Sequence, residues 1–190
     1  MSGETLTIPR PAGMARLGPR EMLVEDGART QSFRYADAES LRLSFRPRSL
    51  AFNVYRLDLR MKDGRTLRLH NIDATPGALF RPYRRWDEGY ASLARELTRR
   101  VGEAAPQAAL AAGFPALRWN LAMIAGAGTL GFVALRGAQA LAAGQGSAAL
   151  VALFGAAMLA GFLAPFLLRN RPRPLAPGAV PAHVLPAPPL

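Results

Sequence analysis

Residues 147–168 read SAALVALFGAAMLAGFLAPFLL, a run in which no side chain is charged. A helix needs about 20 apolar residues to cross the hydrocarbon core of a bilayer, and this run is about that long. A surface helix of a soluble protein carries a polar face, and this run has none. The stretch is therefore predicted to be a transmembrane helix, and a buried helix of a soluble protein is the alternative.

A second uncharged run precedes the first. It begins at Trp119 and extends to about residue 141 if Arg136 lays its aliphatic stem along the helix and holds its charge at the membrane interface. Residues 144–146, Gly-Gln-Gly, interrupt the pattern, because glycine is unfavourable inside a helix. The two runs are therefore predicted to form an antiparallel transmembrane hairpin, with helices at about 119–141 and 147–168. Small residues spaced four apart are expected to let the helices approach closely; they are Ala127 with Gly131 and Ala157 with Gly161.

Charged residues are divided unevenly along the chain. All 13 acidic residues lie at or before Glu103, and arginines are the only charged residues from Arg118 onward. Arginines flank both outer ends of the hairpin, whereas the connection has only Arg136, which is either an interfacial residue or a functional charge inside the membrane. The excess of positive charge at the outer ends predicts that both termini lie in the cytoplasm, which for a bacterial chain means at the inner membrane.

The net charge is +11, and the part before residue 104 carries +6 from 19 basic and 13 acidic side chains. A strongly basic chain is typical of proteins that bind nucleic acid or an anionic membrane surface. The predicted hairpin favours the membrane, because an anchor holds the basic part beside lipid headgroups whatever else it binds. We therefore expect the lipid bilayer and another membrane protein complex as partners, and neither nucleic acid nor a small-molecule substrate.

The two ends of the chain show little regular pattern. Residues 1–22 lack the apolar core of a signal peptide, so membrane insertion is expected to begin at an internal segment, and residues 1–14 are taken as an N-terminal segment ahead of the first domain. Residues 169–190 contain seven prolines, too many for a helix or a central strand. They are predicted to form an extended cytoplasmic tail, either a solvated linker or a docking peptide of polyproline type. The chain has no cysteine, which excludes disulfides and thiol nucleophiles within it.

The basic part of the chain shows strand patterns. Residues 41–46 alternate strictly between apolar and polar side chains, which is typical of a half-buried strand. Residues 56–61 and 65–71 flank Lys-Asp-Gly, and a three-residue loop with Gly64 in the left-handed region sorts both strands by polarity. That register places Leu59 opposite Leu67, Leu57 opposite Leu69 and Asp58 opposite Arg68. Further strands are predicted at 21–25 and 31–35.

An apolar stripe at spacings of three and four predicts a helix that begins near Asp87 and ends by Pro106. Glu96 and Arg100 are expected to form an outward pair on this helix. Residues 15–105 are thus predicted to be an α+β domain, an antiparallel sheet capped by one C-terminal helix, and a linker at 106–118 joins it to the hairpin. The stripe consists of Trp86, Tyr90, Leu93, Leu97 and Val101.

Residues 33–43, FRYADAESLRL, resemble the strand, acidic turn and return strand of the bacterial pleckstrin-homology-like (PH-like) domains, with Ala38 where that pattern usually carries a bulky aliphatic residue. The resemblance covers about residues 15–104. It implies a small curved sheet or partial barrel closed by a single helix, a fold often attached to membrane spans. It also implies a scaffold that binds lipid or protein, because these domains have no invariant catalytic motif and fold alone does not determine function.

No motif for phosphate binding, for a nucleophilic serine or for a helical zinc site occurs in the chain. The two histidines, His70 and His183, are too isolated to predict a ligand set or a triad. The nearest carboxylate groupings have ordinary roles in turns, strand faces or a helix start; they are Asp37 with Glu39, Asp58 with Asp73, and Asp87 with Glu88. We therefore predict no catalytic residue, no metal site and no cofactor.

Tyr83, Arg84, Arg85 and Trp86 combine cations and aromatic rings in the irregular stretch before the helix. Such a cluster suits a membrane interface or the acidic surface of a partner, and the alternative is a loop whose Trp86 anchors the core. Three functions follow in order of preference. The first is a membrane-anchored, non-catalytic interaction protein that docks to another membrane complex. The second is direct binding of anionic lipid, and the third is a membrane enzyme that uses carboxylate chemistry.

Overall fold

The computed structural model describes residues 5–10, 13–27, 29–49, 52–72 and 85–186. Over these residues the chain is an α+β protein with two sheets and three α-helices. It divides into two compact units. The basic unit comprises Met1–Gly113 together with Arg173–Leu190, and the hairpin unit comprises Phe114–Pro172.

The first sheet is a four-stranded antiparallel meander. Its strands pair in chain order; they are β1 (Leu6–Arg10), β2 (Gly13–Leu17), β3 (Glu21–Asp26) and β4 (Arg29–Arg34). The last two correspond to the strands predicted at 21–25 and 31–35. The sequence predicts that the domain begins at residue 15, after an N-terminal segment at 1–14, yet β1 and the start of β2 lie in that segment. Pro9 is tolerated because β1 is an edge strand, where a missing N–H group need not break the ladder.

The second sheet has five strands, and one hairpin in it follows the predicted register. The strands are β5 (Ala38–Ser49), β6 (Phe52–Met61), β7 (Thr66–His70), β8 (Ala109–Ala112) and β9 (Arg173–Pro174), in the order β7-β6-β5-β8-β9. Between β6 and β7 the prediction is confirmed, because Leu59 lies opposite Leu67 and Asp58 opposite Arg68. Gly64 has a φ of 86°, the left-handed conformation that the three-residue loop requires.

A single amphipathic helix, α1 (Asp87–Ala104), packs against the sheets of the basic unit, as the apolar stripe predicts. Four of the five side chains of the predicted stripe are fully buried in one cluster with inward residues of both sheets. Trp86, just before the helix, is only partly buried and packs against the same cluster. The buried residues of the stripe are Tyr90, Leu93, Leu97 and Val101.

The Glu96–Arg100 pair differs from the exposed pair expected on the outer face of the helix. The Arg100 side chain is only 10% exposed, and it donates to the backbone carbonyls of Leu17, at 2.9 Å, and Gly18. Glu96 accepts hydrogen bonds from Arg99 and Arg100, each at 2.5 Å, and these bonds lower the pKa of Glu96 to about 2. The pair therefore ties α1 to the turn between β2 and β3.

The proline-rich segment after the hairpin belongs to the basic unit, which differs from the solvated linker expected from its composition. β9 pairs with β8 so that Ala112 lies opposite Arg173. Prolines prevent a helix here, but an extended chain at a sheet edge still buries apolar side chains. The segment contributes four of them to the main core or its margin: Leu175, Val180, Val184 and Leu185.

β8 lies inside the stretch predicted to be a linker at 106–118. It pairs in parallel with β5, so that Ala112 is opposite Leu43, and the N–H of Gly113 donates to the carbonyl of Leu43 at 2.7 Å. The next residue, Phe114, begins the hairpin unit. The hairpin is therefore an insertion between two neighbouring strands of one sheet.

The hairpin unit contains α2 (Ala116–Ala142) and α3 (Gly146–Arg169), which cover the two predicted spans. Both helices are long and apolar enough to cross a membrane, by length and composition. Large apolar side chains are exposed along both of them, including Ile124, Phe132 and Phe154. Neither helix therefore matches the alternative of a helix buried in a soluble core.

The two helices of the hairpin contact each other through small residues, but not through the glycines expected. A Cβ added at Gly126 would lie 3.3 Å from Leu163, and one added at Gly137 would lie 3.2 Å from Ala152. A Cβ added at Gly131 or Gly161 would meet open space instead. In a run rich in alanine and glycine, the spacing of small residues predicts close packing without identifying the packed face.

Candidate functional site

The cluster predicted as a contact surface falls partly outside the described residues, because Tyr83 and Arg84 are not among them. Arg85 is exposed and forms an ion pair with Asp87. Trp86 packs against the core, where its ring meets Tyr90 edge-to-face with the centroids 5.8 Å apart. Trp86 therefore anchors the start of α1, and Arg85 is the described residue of the cluster whose side chain a partner can reach.

Asn71 holds this corner of the basic unit together. It is fully buried just after β7, its side-chain oxygen accepts from the N–H of Tyr55 at 2.8 Å, and its side-chain amide donates to Asp87 at 2.7 Å. Its backbone carbonyl accepts from the N–H of Trp86 at 3.1 Å. These bonds satisfy the buried polar groups of Asn71. They also determine where Arg85 and Trp86 lie, because they join β6, the end of β7 and the start of α1.

The chain leaves the basic unit for the hairpin at the end of the second sheet where Asn71 and Arg85 lie. β8 runs parallel to β5, and β7 runs in that direction too, because β6 is antiparallel to both of its neighbours. β8 ends at Ala112 and β7 ends at His70, whereas β5 continues past the end of β8 to Arg46 and beyond. Arg46, Arg85 and Gly113 are therefore all near one end of the sheet.

A basic surface covers the outward side of β5, β6 and β7. The positions that alternate with the core residues of these strands are rich in arginine, and four of these arginines form what we call the arginine face: Arg42 and Arg46 on β5, Arg56 on β6 and Arg68 on β7. The signal for this face is present in the sequence, since the alternation at 41–46 already separates arginines from apolar residues. The sequence alone does not identify this face as a binding surface, because the same alternation is typical of any solvated strand face.

One carboxylate, Asp58, lies at the centre of the arginine face. Arg56 Nη2 is 2.7 Å from it, Arg68 Nε is 3.7 Å from it, and Arg42 is opposite it on β5. The side chains of Arg56 and Asp58 are only 16% and 24% exposed. Burial lowers the pKa of Arg42, and the negative charge of Asp58 opposes that shift. Three of the four arginines of the face, Arg42, Arg56 and Arg68, thus share the charge of this one carboxylate, which leaves the face positive.

His70 lies opposite Arg56 on the same face. Its pKa is lowered, mainly because burial disfavours the charged imidazolium and secondly because Arg56 is close. Arg46 and Arg68 lower the pKa further, and Asp58 acts in the opposite direction. His70 is therefore neutral at pH 7, and its titration reports the electrostatic potential of the arginine face.

A polar groove of about 450 Å³ lies along β4, an edge strand of the first sheet. One of its two basic residues, Arg65, is already engaged, because it binds Asp63 at 2.7 Å and donates to the carbonyl of Ser32 at 3.2 Å. The groove is open, and none of its side chains is buried. It therefore lacks the enclosed, convergent polar groups of a small-molecule site. The lining residues are Thr30, Gln31, Ser32, Arg34, Asp37 and Arg65.

Over the described ranges, no group of three or more His, Cys, Asp or Glu side chains is placed to hold a metal ion. Several acidic side chains there are bound by arginine, as in the pair of Glu25 with Arg16 at 3.4 Å. Comparison with protein-family models, with curated proteins and with solved structures finds no match. Charge, topology and the apolar helices are therefore the features that bear on function.

Proposed function

We propose that this chain is a membrane-anchored, non-catalytic interaction protein that presents its basic unit to another membrane protein complex. We place the basic unit on the cytoplasmic side, in bacteria beside the inner membrane. The observation that carries the proposal is the insertion of the apolar hairpin between β8 and β9. Exposed apolar side chains along both helices are unfavourable in water, and a bilayer removes that cost.

Paired strands on either side of the hairpin hold its two ends together. Ala112 lies opposite Arg173, so the chain leaves the sheet for α2 and returns from α3 at neighbouring points. With both helices across a membrane, the N-terminal part of the basic unit and its C-terminal segment share one side. Arg118 and Arg169 flank the two apolar runs, which favours the cytoplasmic side.

The order of elements supports a PH-like assignment for the basic unit. A four-stranded meander is followed by the antiparallel strands β5, β6 and β7, and then by one closing helix. The resemblance of residues 33–43 implies a curved sheet closed by a single C-terminal helix, and this order of elements supports that proposal. β8 and β9 are additions to that plan, and they connect it to the hairpin. A scaffold of this kind favours binding, although fold alone does not identify the partner.

Reporter fusions at Ser2, Gln145 and Leu190 test the topology. We expect a cytoplasmic signal at both ends and a signal from the opposite side at Gln145, because Gln145 lies in the connection between α2 and α3. A fusion after Pro186 is a matched control, since it keeps the buried Val184 in the chain. A cytoplasmic signal at Gln145, or opposite signals at the two ends, would contradict the hairpin arrangement.

Native-gel migration after extraction in a mild detergent tests docking to a membrane complex. We expect the full chain to migrate with the added mass of a stable partner, and Arg84→Gln with Arg85→Gln to lose that mass, because the Arg85 side chain is about half exposed beside Trp86. As a control, Arg20→Gln with Arg29→Gln removes the same charge from exposed positions of the basic unit. Migration of the unaltered chain without added mass, or equal loss in both double variants, would contradict docking through this cluster.

A further inference from the structure

The arginine face is tied to the point at which the chain leaves the basic unit for the hairpin. Arg42 Nη1 donates to the backbone carbonyl of Gly113 at 3.2 Å. Gly113 is six residues from Trp119, where the uncharged run begins, and six residues span at most about 20 Å. The headgroup layer adds about 6 Å on each side of the hydrocarbon core. In a membrane-anchored chain, Arg42 therefore lies close to lipid headgroups.

The arginine face carries more positive charge than Asp58 neutralises. Arg60, the next arginine along β6, does not share Asp58, because it pairs with Glu39 at 2.8 Å. The Arg68 side chain is 64% exposed. Arg46 is exposed as well, and it lies further along β5 in the direction in which β8 runs towards the hairpin. Positive charge therefore extends along the sheet towards the end at which β8 stops.

We propose that the arginine face binds the phosphate groups of anionic phospholipids in the leaflet beside the basic unit. This inference rests on the proposed membrane anchoring and adds a lipid to the protein partner proposed above. The planar guanidinium group of arginine matches two phosphate oxygens at once through charged hydrogen bonds. Asp58 competes with the phosphate for the same guanidinium groups, so it limits the strength of lipid binding.

The test uses the full chain in a neutral detergent, titrated with dioctanoyl phosphatidylglycerol or with zwitterionic dioctanoyl phosphatidylcholine. Native mass spectrometry measures the lipid-bound fraction. NMR follows the titration of His70, one of only two histidines in the chain. We expect phosphatidylglycerol to bind and to raise the pKa of His70, because a nearby phosphate stabilises the charged imidazolium. Phosphatidylcholine is expected to bind much more weakly and to leave the pKa of His70 unchanged.

Substitution of exposed arginines separates the arginine face from overall charge. Arg46→Gln with Arg68→Gln should weaken phosphatidylglycerol binding roughly 30-fold, because each arginine beside an anionic surface contributes about fivefold. Both side chains are exposed, so the core is unaffected. The control Arg20→Gln with Arg29→Gln lowers the net charge equally, and it should weaken binding less than about threefold, since these residues lie off the face.

Substitution of the competing carboxylate tests the same surface in the opposite direction. Asp58→Asn should strengthen binding about fivefold, because it releases the guanidinium groups that Asp58 engages while keeping the shape of the side chain. Glu25→Gln is the matched control, since it removes an equal charge from the ion pair with Arg16 on the first sheet. It should leave binding nearly unchanged.

Equal effects of the two arginine pairs, or an affinity of Asp58→Asn no higher than that of Glu25→Gln, would overturn the assignment to the arginine face. An equal rise in the pKa of His70 with inorganic phosphate in place of lipid would overturn the assignment of a lipid ligand.

Carbonate extraction of the source membranes tests the anchoring separately. Release of the chain into solution would overturn the proposed function itself, whereas a retained chain that does not respond to phosphatidylglycerol would overturn only this inference.

Discussion

Leu97→Asp is expected to unfold the basic unit while α2 and α3 remain helical. Leu97 is fully buried in the middle of the α1 stripe, in one apolar cluster with the inward side chains of the two sheets. Burying a carboxylate in such surroundings costs several kcal/mol, against a total stability of about 5–15 kcal/mol for a typical domain. The hairpin is a separate compact unit, so its helices should persist, and with them the membrane insertion that we propose.

Thermal unfolding of the full chain in detergent measures this effect, with the fluorescence of Trp86 followed in a Trp119→Phe background. We expect Leu97→Asp to abolish the Trp86 transition and far-UV circular dichroism still to show the hairpin helices. Ser92→Asp is the control, because it introduces the same charge at an exposed position of α1 and should change stability by less than about 0.5 kcal/mol. A Trp86 transition that survives Leu97→Asp would show that α1 does not pack on the sheets as described.

A chain that ends at Pro174 is expected to lose much of the stability of the basic unit, although α1 and the long strands remain. Val184 and Leu185 are almost fully buried in the main core. Burying a valine or leucine contributes about 1.5–3 kcal/mol, so losing this pair alone costs about 3–6 kcal/mol. The segment also packs closely on α1, since a Cβ added at Gly102 would lie 2.5 Å from the side chain of Pro177.

The midpoint of the Trp86 transition in the same Trp119→Phe background measures this loss. A chain that ends at Pro186 keeps every residue of the segment that the structure describes, the buried Val184 and Leu185 included, and serves as the control. We expect the control to unfold at the same temperature as the full chain and the shorter chain to unfold well below it. Equal midpoints for the two truncated chains would support the solvated linker that composition alone predicts.

The register of the β6–β7 hairpin was predictable because it depends on local constraints. The loop that holds Gly64 joins the two strands directly, and a shift by one residue would move Leu57 and Leu59 from the core to the solvent face. The helix α1 was predictable for a similar reason, since its apolar stripe repeats within five turns. Patterns that involve neighbouring residues therefore predicted these elements well.

The arginine face and the role of Trp86 were only partly predictable from the sequence. The alternation of Arg42 and Arg46 with apolar residues places them on the outward face, and that can be seen in the sequence. Their grouping with Arg56 and Arg68 around Asp58 depends on which strands are neighbours. The role of Trp86 likewise required the structure, because an aromatic residue beside arginines is equally typical of a core anchor and of an interface.

The sequence by itself determined that residues 119–168 form an apolar helical hairpin and that arginines and leucines lie on opposite faces of the strands, because both follow from side chains close together in the chain. Only the tertiary structure showed that the hairpin is inserted between β8 and β9 and that Arg42 meets Gly113, 71 positions away. β8 reads ALAA, and alanine is uncommon in strands, so no local pattern marks it. Backbone hydrogen bonds to distant β5 and β9 hold it in place, and the backbone is the same for every residue except proline.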